Sequence, residues 1–267
     1  MMKKTLALLA LTAALAAPMA AQAHRAWLAP TSTVLSGNDA WVGFDAGMSN
    51  VVFQPDHAAM RLSGLEIIAP DGSRIEARNS AQGRYRSMFD IELKQEGTYR
   101  VANVVEGFMA TYEQGGERKR FRGSEAEFAT GIPADATNVQ PVRTFTRTET
   151  FVTLGNPNET ALAATGKGLE LVPVSHPNDA AEGEASSFKL LLNGQPAADV
   201  EVTIAREGLR YRSNPEEITA KTAADGTFTV TWAASGLHWI GASVRTPGAN
   251  GQPGTNASYN GTIEVLP

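Results

Sequence analysis

The stretch TFTVTW, residues 227–232, sets Phe228, Val230 and Trp232 on one face and three threonines on the other. Strict alternation gathers into a single apolar surface only in an extended chain, so this segment is expected as a half-buried β-strand. The same period recurs in VEVTI, with Val200, Val202 and Ile204 in phase, and in SFKLLL, with Phe188, Leu190 and Leu192 in phase. Asp71-Gly72, Asn193-Gly194 and Asp225-Gly226 punctuate such runs with residues that tolerate the backbone of tight turns. No long apolar stripe of helical period competes. The expected fold class is therefore all-β, with short strands arranged as β-sandwiches.

The strands fall into two groups. AWVGFDAG, LSGLEIIAPDG, YRSMFDIEL and GTYRVANV lie within residues 24–155, and the runs described above lie within 169–267. Between them GNPNETALAATGKG has little periodicity, so 156–168 is expected as a linker or long connection. Each group is long enough to bury a core of its own. A glycine followed by an aromatic strand occurs in both, as EGTYRVAN and SGLHWIGAS, a faint sign of two related units.

The chain has no cysteine, which excludes disulfides, thiolate metal sites, thiol catalysis and lipid attachment through a cysteine. Its first 23 residues have the form of a secretory leader: Lys3 and Lys4, an apolar run from Leu6 to Ala17 too short to span a bilayer, then Ala21-Gln22-Ala23. Cleavage after Ala23 leaves His24 as the first residue, and the product is expected to be periplasmic or secreted, with no membrane insertion. Losing two lysines takes the formal charge from −5 to −7. That sign argues against nucleic acid and anionic membrane surfaces as partners.

In order, the blocks HRAWLAPTSTVLSGNDAWVGFDAGMSN, FDIELKQEGTYRVAN, TETFVTLGNP and GLELVPVSHPND resemble the domain-of-unknown-function family 4198. The resemblance covers essentially the whole chain after the leader. It implies an exported, mostly β protein whose second half is immunoglobulin-like or carboxypeptidase-regulatory-like. The family was formerly described as a periplasmic component of nickel or cobalt uptake. That history implies a metal ion as partner, and a transporter of the outer or inner membrane as a second one.

The residues offer a metal site of their own. There are four histidines, His24, His57, His176 and His238. An N-terminal histidine carries two donors, the free amine and a ring nitrogen, which chelate one ion. Terminal amines titrate near ~8, so displacing the proton at neutral pH costs little. A second imidazole completes a three-nitrogen set suited to copper, nickel or cobalt. His57, in FQPDHAAM of the same half, is the expected partner. Asp45, at the end of an alternating strand, is a candidate carboxylate ligand or second-sphere acceptor. His176, in VPVSHPND, is a candidate third ligand from the second half. The bland alternatives stand beside these: a cleavage-point histidine, a polar loop histidine, a turn aspartate and a linker-edge histidine. Met48 and Met60 are thioether donors for Cu(I) or, more commonly, core fillers. His238 is expected as a polar strand residue.

Other features are expected to be structural. ERKRFRGSEAEF reads as a solvated hairpin or loop, since glutamates flank its basic residues. Trp27, Trp41, Trp232 and Trp239 are expected in the core, because they lie within alternating apolar runs. There is no G-x-S-x-G, no H-E-x-x-H and no phosphate loop, so no positive case for catalysis arises and no catalytic residue is assigned. Three classes remain: a metal-binding or metal-uptake accessory protein, a metal-free sandwich that binds protein or glycan, and a copper oxidase built on the N-terminal histidine, with Tyr85 or Phe53 near its axial position.

Overall fold

The computed structural model describes residues 24–212 and 216–267. The expected leader and cleavage site, residues 1–23, lie outside the described residues. The first half comprises β1 (Arg25–Pro30), β2 (Val34–Leu35), β3 (Ala40–Ser49), β4 (Ala58–Ala59), β5 (Leu65–Ile68), β6 (Arg74–Ile75), β7 (Arg78–Gln82), β8 (Ser87–Leu93), β9 (Gly97–Gln114), β10 (Glu117–Gly123), helix α1 (Glu125–Gly131) and β11 (Thr137–Leu154). The second comprises β12 (Leu169–Pro173), β13 (Ala185–Leu192), β14 (Gln195–Pro196), β15 (Glu201–Arg206), β16 (Ile218–Lys221), β17 (Thr227–Thr231), β18 (Gly236–Thr246) and β19 (Gly254–Val265).

The fold is all-β, with two sandwich halves. In the first, a sheet ordered β1-β3-β8-β7 packs on the β11-β9-β5 region of a larger sheet. Phe44, Phe89, Ile91, Tyr99, Val101 and Val152 fill the space between them. In the second, β12, β13 and β17 pack on β15, β18 and β19 around Phe188, Leu190, Phe228, Val230, Trp232 and Ile240. The alternation in TFTVTW and SFKLLL thus faces the core, as the period requires. The two-residue turn after β13 places Asn193 at φ 51° and Gly194 at φ 77°, the left-handed pair that matches strand twist in a tight hairpin. At the entry to β9 the Tyr99 hydroxyl donates to the Gln95 carbonyl at 2.9 Å and accepts from its amide at 2.8 Å, a tyrosine corner. Burial pushes this phenol up from its usual range.

The halves share one sheet. β11 pairs antiparallel with β9 and parallel with β19, from Val142↔Gly254 to Thr150↔Thr262. Adjacent side chains of β11 therefore serve different cores: Phe151 lies in the second and Val152 in the first. The stretch 156–168 is largely exposed but is anchored at a few points. Asn158 donates to the Pro70 carbonyl at 2.9 Å and accepts from the Thr98 amide at 2.9 Å, and Ala161 and Leu162 are buried.

A third cluster ties the second half to β1. Trp27, Val52, Ala205 and Trp239 pack together, and the Trp239 indole N–H donates to the Ala26 carbonyl at 2.9 Å. Arg25 lies 4.8 Å over the Trp239 ring and pairs with Glu217 at 2.8 Å. These contacts hold the chain next to His24.

Three tryptophans are buried as expected, but Trp41 is 42% exposed. Val42, Phe44 and Ala46 take the inward phase of β3, which leaves Trp41 outward, with its indole N–H donating to Asp39 at 3.1 Å. The basic run forms edge strand β10, paired with β9, and leads into α1, which is seven residues long. Ser124 and Glu127 form a capping box there, each side chain bonding to the other's backbone N–H.

Candidate functional site

Strand β3 organises the open end of the first sandwich. On one side it pairs with β1, Arg25 opposite Ser49 and Ala26 opposite Met48. On the other it pairs with β4, Met48 opposite Ala58 and Gly47 opposite Ala59. His24 precedes β1 and His57 precedes β4, so the two histidines flank the same strand end. Their rings stack with centroids 3.5 Å apart and planes 7° from parallel. Both residues are exposed.

The loop that delivers His57 is anchored at several points. Asp56 accepts the Asn50 amide at 2.9 Å and the Val51 amide at 3.4 Å. Phe53 adopts a left-handed backbone, φ 61°, and sets its ring edge-on to Trp27 at 5.9 Å. Trp27 in turn donates its indole N–H to Ser49 at 2.7 Å. Its ring lies over Gly47, where an added Cβ would sit 2.6 Å from the indole, so only glycine fits there. Beside β4 the Ala59 amide donates to the Arg84 carbonyl at 3.3 Å, which brings the 83–86 turn alongside. That turn carries Tyr85, 41% exposed with the Arg84 guanidinium 5.3 Å over its ring. Tyr85 is thus at the rim, whereas Phe53 is packed on Trp27.

The other candidates have other partners. Asp45 forms an ion pair with Arg86 at 2.8 Å. Met60 is 4% exposed and belongs to the first core, whereas Met48 is 37% exposed. His238 is 3% exposed, donates Nδ1–H to the Gly236 carbonyl at 3.0 Å and sets its ring against Trp232 at 5.1 Å. Burial holds its imidazole below the ordinary range, although the Gly236 carbonyl opposes this.

His176 closes a ring of hydrogen bonds between the halves. The Asn178 amide donates to Nδ1 at 3.2 Å, so Nδ1 is unprotonated and Nε2 carries the hydrogen. Nε2–H donates to Thr98 Oγ1 at 2.9 Å. Thr98 donates to Thr153 at 2.9 Å, and Thr153 donates to Asn178 Oδ1 at 2.8 Å, an oxygen that only accepts. Both ring nitrogens are therefore in use. Burial lowers the His176 imidazole; Asp179, the Asn158 backbone and Glu159 pull the other way.

Among the described residues, no group of three or more His, Asp or Glu side chains is placed to hold a metal ion. The pair brought together is His24 and His57.

One cluster had only a weak signal in the sequence. In the threonine-rich strand TFTRTETF, Arg147 and Glu149 are each 2% exposed and pair at 3.3 Å. Burial raises the Glu149 carboxyl, against the pull of Arg147 and Arg100. Arg147 borders a cleft of about 460 Å³ also lined by Glu66, Arg74, Arg100 and Lys167. Charges at alternate positions among the threonines and phenylalanines of this strand are the signal that points to such a cluster.

A model of a domain of unknown function, DUF4198, matches residues 21–246. The chain belongs to the DUF4198 family. No curated protein matches it in sequence. Among solved structures, this DUF4198 chain is similar to the D0-D1 domain of intimin at 14% identity, covering 90% of this chain and 97% of that one, with a TM-score of 0.23. A DUF4785 family protein from Legionella pneumophila matches at 8% identity over 81% of this chain and 50% of its own, with a TM-score of 0.25. The human OSCAR ligand-binding domain matches at 13% identity over 91% and 100%, with a TM-score of 0.20.

Proposed function

We propose that the processed chain is an exported protein that binds one divalent transition metal through the His24 amine, the His24 ring and the His57 ring. The observation that carries this reading is the contact of the two imidazoles, 3.5 Å apart, at the point where leader removal creates the amine. The donor set fits. It consists of three nitrogens of intermediate softness, two of them on one residue and so bound as a unit at little extra entropic cost. The rings lie parallel, so an ion enters by turning them apart, which their exposure allows. The loop from Ser49 to Asp56 and the Trp27 anchor hold the backbone on either side. Copper binds most tightly to such a set by the general affinity order, with nickel and cobalt weaker. The role is carriage or handover of the ion in the periplasm or outside the cell, with a membrane transporter as a partner.

Titration calorimetry tests this on three forms: the chain beginning at His24, its His57→Ala variant, and a chain with one extra alanine before His24. The first is expected to bind one Cu(II), and the other two at least about tenfold more weakly, because each lacks one donor of the set. Equal binding by all three removes the site and leaves a metal-free binding sandwich as the reading.

A further inference from the structure

We infer that Met48 is a further ligand of this site, a thioether that binds copper in its reduced state, so that the protein holds both Cu(II) and Cu(I). The inference rests on the metal reading above. Met48 lies in β3 directly between the two strands that lead to the histidines, paired with Ala26 on one side and Ala58 on the other. On β1 the residues Ala26 and Leu28 are in the phase that faces the first core, and so on β3 are Phe44 and Ala46. Alternation therefore puts Met48 on the core side, at the end of β3 that the two histidines flank.

A methionine in this phase belongs inside, yet Met48 is 37% exposed because the sandwich opens at this end. Met60, from the same end of the sandwich, is 4% exposed and its backbone carbonyl accepts the Ser87 hydroxyl, so it belongs to the core. The nearest carboxylate on β3, Asp45, is paired with Arg86. The exposed donor left in this part of β3 is a soft sulfur. Thioethers favour Cu(I), whereas the amine and imidazoles serve Cu(II).

The test uses the chain beginning at His24. Cu(I) affinity is measured without oxygen by competition with a chromophoric Cu(I) chelator, and Cu(II) affinity by calorimetry. Met48→Leu is expected to weaken Cu(I) about tenfold or more and leave Cu(II) within about twofold. The copper reduction potential then falls by about 59 mV for each tenfold loss of Cu(I) affinity. Met88→Leu is the control: Met88 is equally exposed, at 39%, but lies opposite Asp45 in the other phase, and its loss is expected to change neither ion. Unchanged Cu(I) binding in Met48→Leu, with Cu(II) binding intact, overturns the thioether assignment and leaves the three-nitrogen site standing. Loss of Cu(I) in Met48→Leu, with no Cu(II) binding by the parent chain, upholds the thioether and removes the amine chelate. A parent chain that binds neither ion overturns both.

Discussion

The hydrogen-bond ring at His176 makes stability depend on pH in a calculable direction. Replacing His176 with alanine leaves the Asn178 amide without its acceptor and Thr98 Oγ1 with only the longer bond from the Asn158 amide, at 3.4 Å. Thr98, Thr153 and Asn178 are all buried, at 0%, 3% and 5% exposure. Each unsatisfied buried group costs about 1–3 kcal/mol, but His176 is only part-buried and water can enter the space, so the lower end applies. The expected loss at pH 7.5 is about 2 kcal/mol in total, or about 4–8 °C in Tm for a chain of this size. The sign with pH follows from burial, which holds the folded imidazole below its unfolded value near ~6.5. As pH falls the unfolded chain takes up the proton first. The contribution is complete above the unfolded value and is lost as pH falls through the lower folded value. Protonation also places an N–H where the Asn178 amide now donates. Urea unfolding from pH 8 to pH 4.5 should show a shallower decline for His176→Ala than for the parent chain. His176→Gln keeps a donor for Thr98 but has no titration, so it should regain part of the stability at pH 7.5 and none of the pH slope. Equal slopes for all three, or a loss below about 0.5 kcal/mol at pH 7.5, would refute the ring as a latch between the halves.

Gly47→Ala forces a Cβ to within 2.6 Å of the Trp27 indole, and thermal unfolding should show it destabilised by about 1–3 kcal/mol. A protease site engineered at Lys167 and cut in the folded protein should leave the two halves together on gel filtration at low denaturant, because β11 and β19 remain paired. Separation into two fragments would show that the shared sheet does not hold them. Copper affinity of the chain beginning at His24 should fall steadily from pH 8 to pH 5 in calorimetry, since protons compete for the amine and both imidazoles. A flat profile would mean other donors.

Much of the fold was legible one segment at a time. The period of TFTVTW, VEVTI and SFKLLL, and the turn pairs Asn193-Gly194 and Asp225-Gly226, are local properties, because strand alternation and positive φ depend only on neighbouring residues. The capping box of Ser124 and Glu127, by contrast, went unread: it starts α1 within a run expected as hairpin or loop. Phase was not legible. Trp41 and Val42 are adjacent, and which of them faces inward depends on what packs against β3. Likewise Phe151 and Val152 are both apolar, but that they serve two different cores follows from β11 pairing with strands of both halves.

The candidate site divides in the same way. The expectation of a histidine left at a cleavage point, with the donors it would carry, rests on Ala-Gln-Ala-His alone. That His57 meets it, that Asp45 is taken by Arg86 and that His176 is locked to Thr98 and Asn178 are consequences of strand register and sheet packing. The spacing from residue 24 to residue 57 has no period that brings two rings together; β3 does so by pairing with β1 on one edge and β4 on the other. The sequence by itself marked several of the strands and the side chains with the chemistry to bind an ion. Which of those side chains meet was decided only in the tertiary structure, because contacts between distant residues depend on the pairing and packing of whole strands.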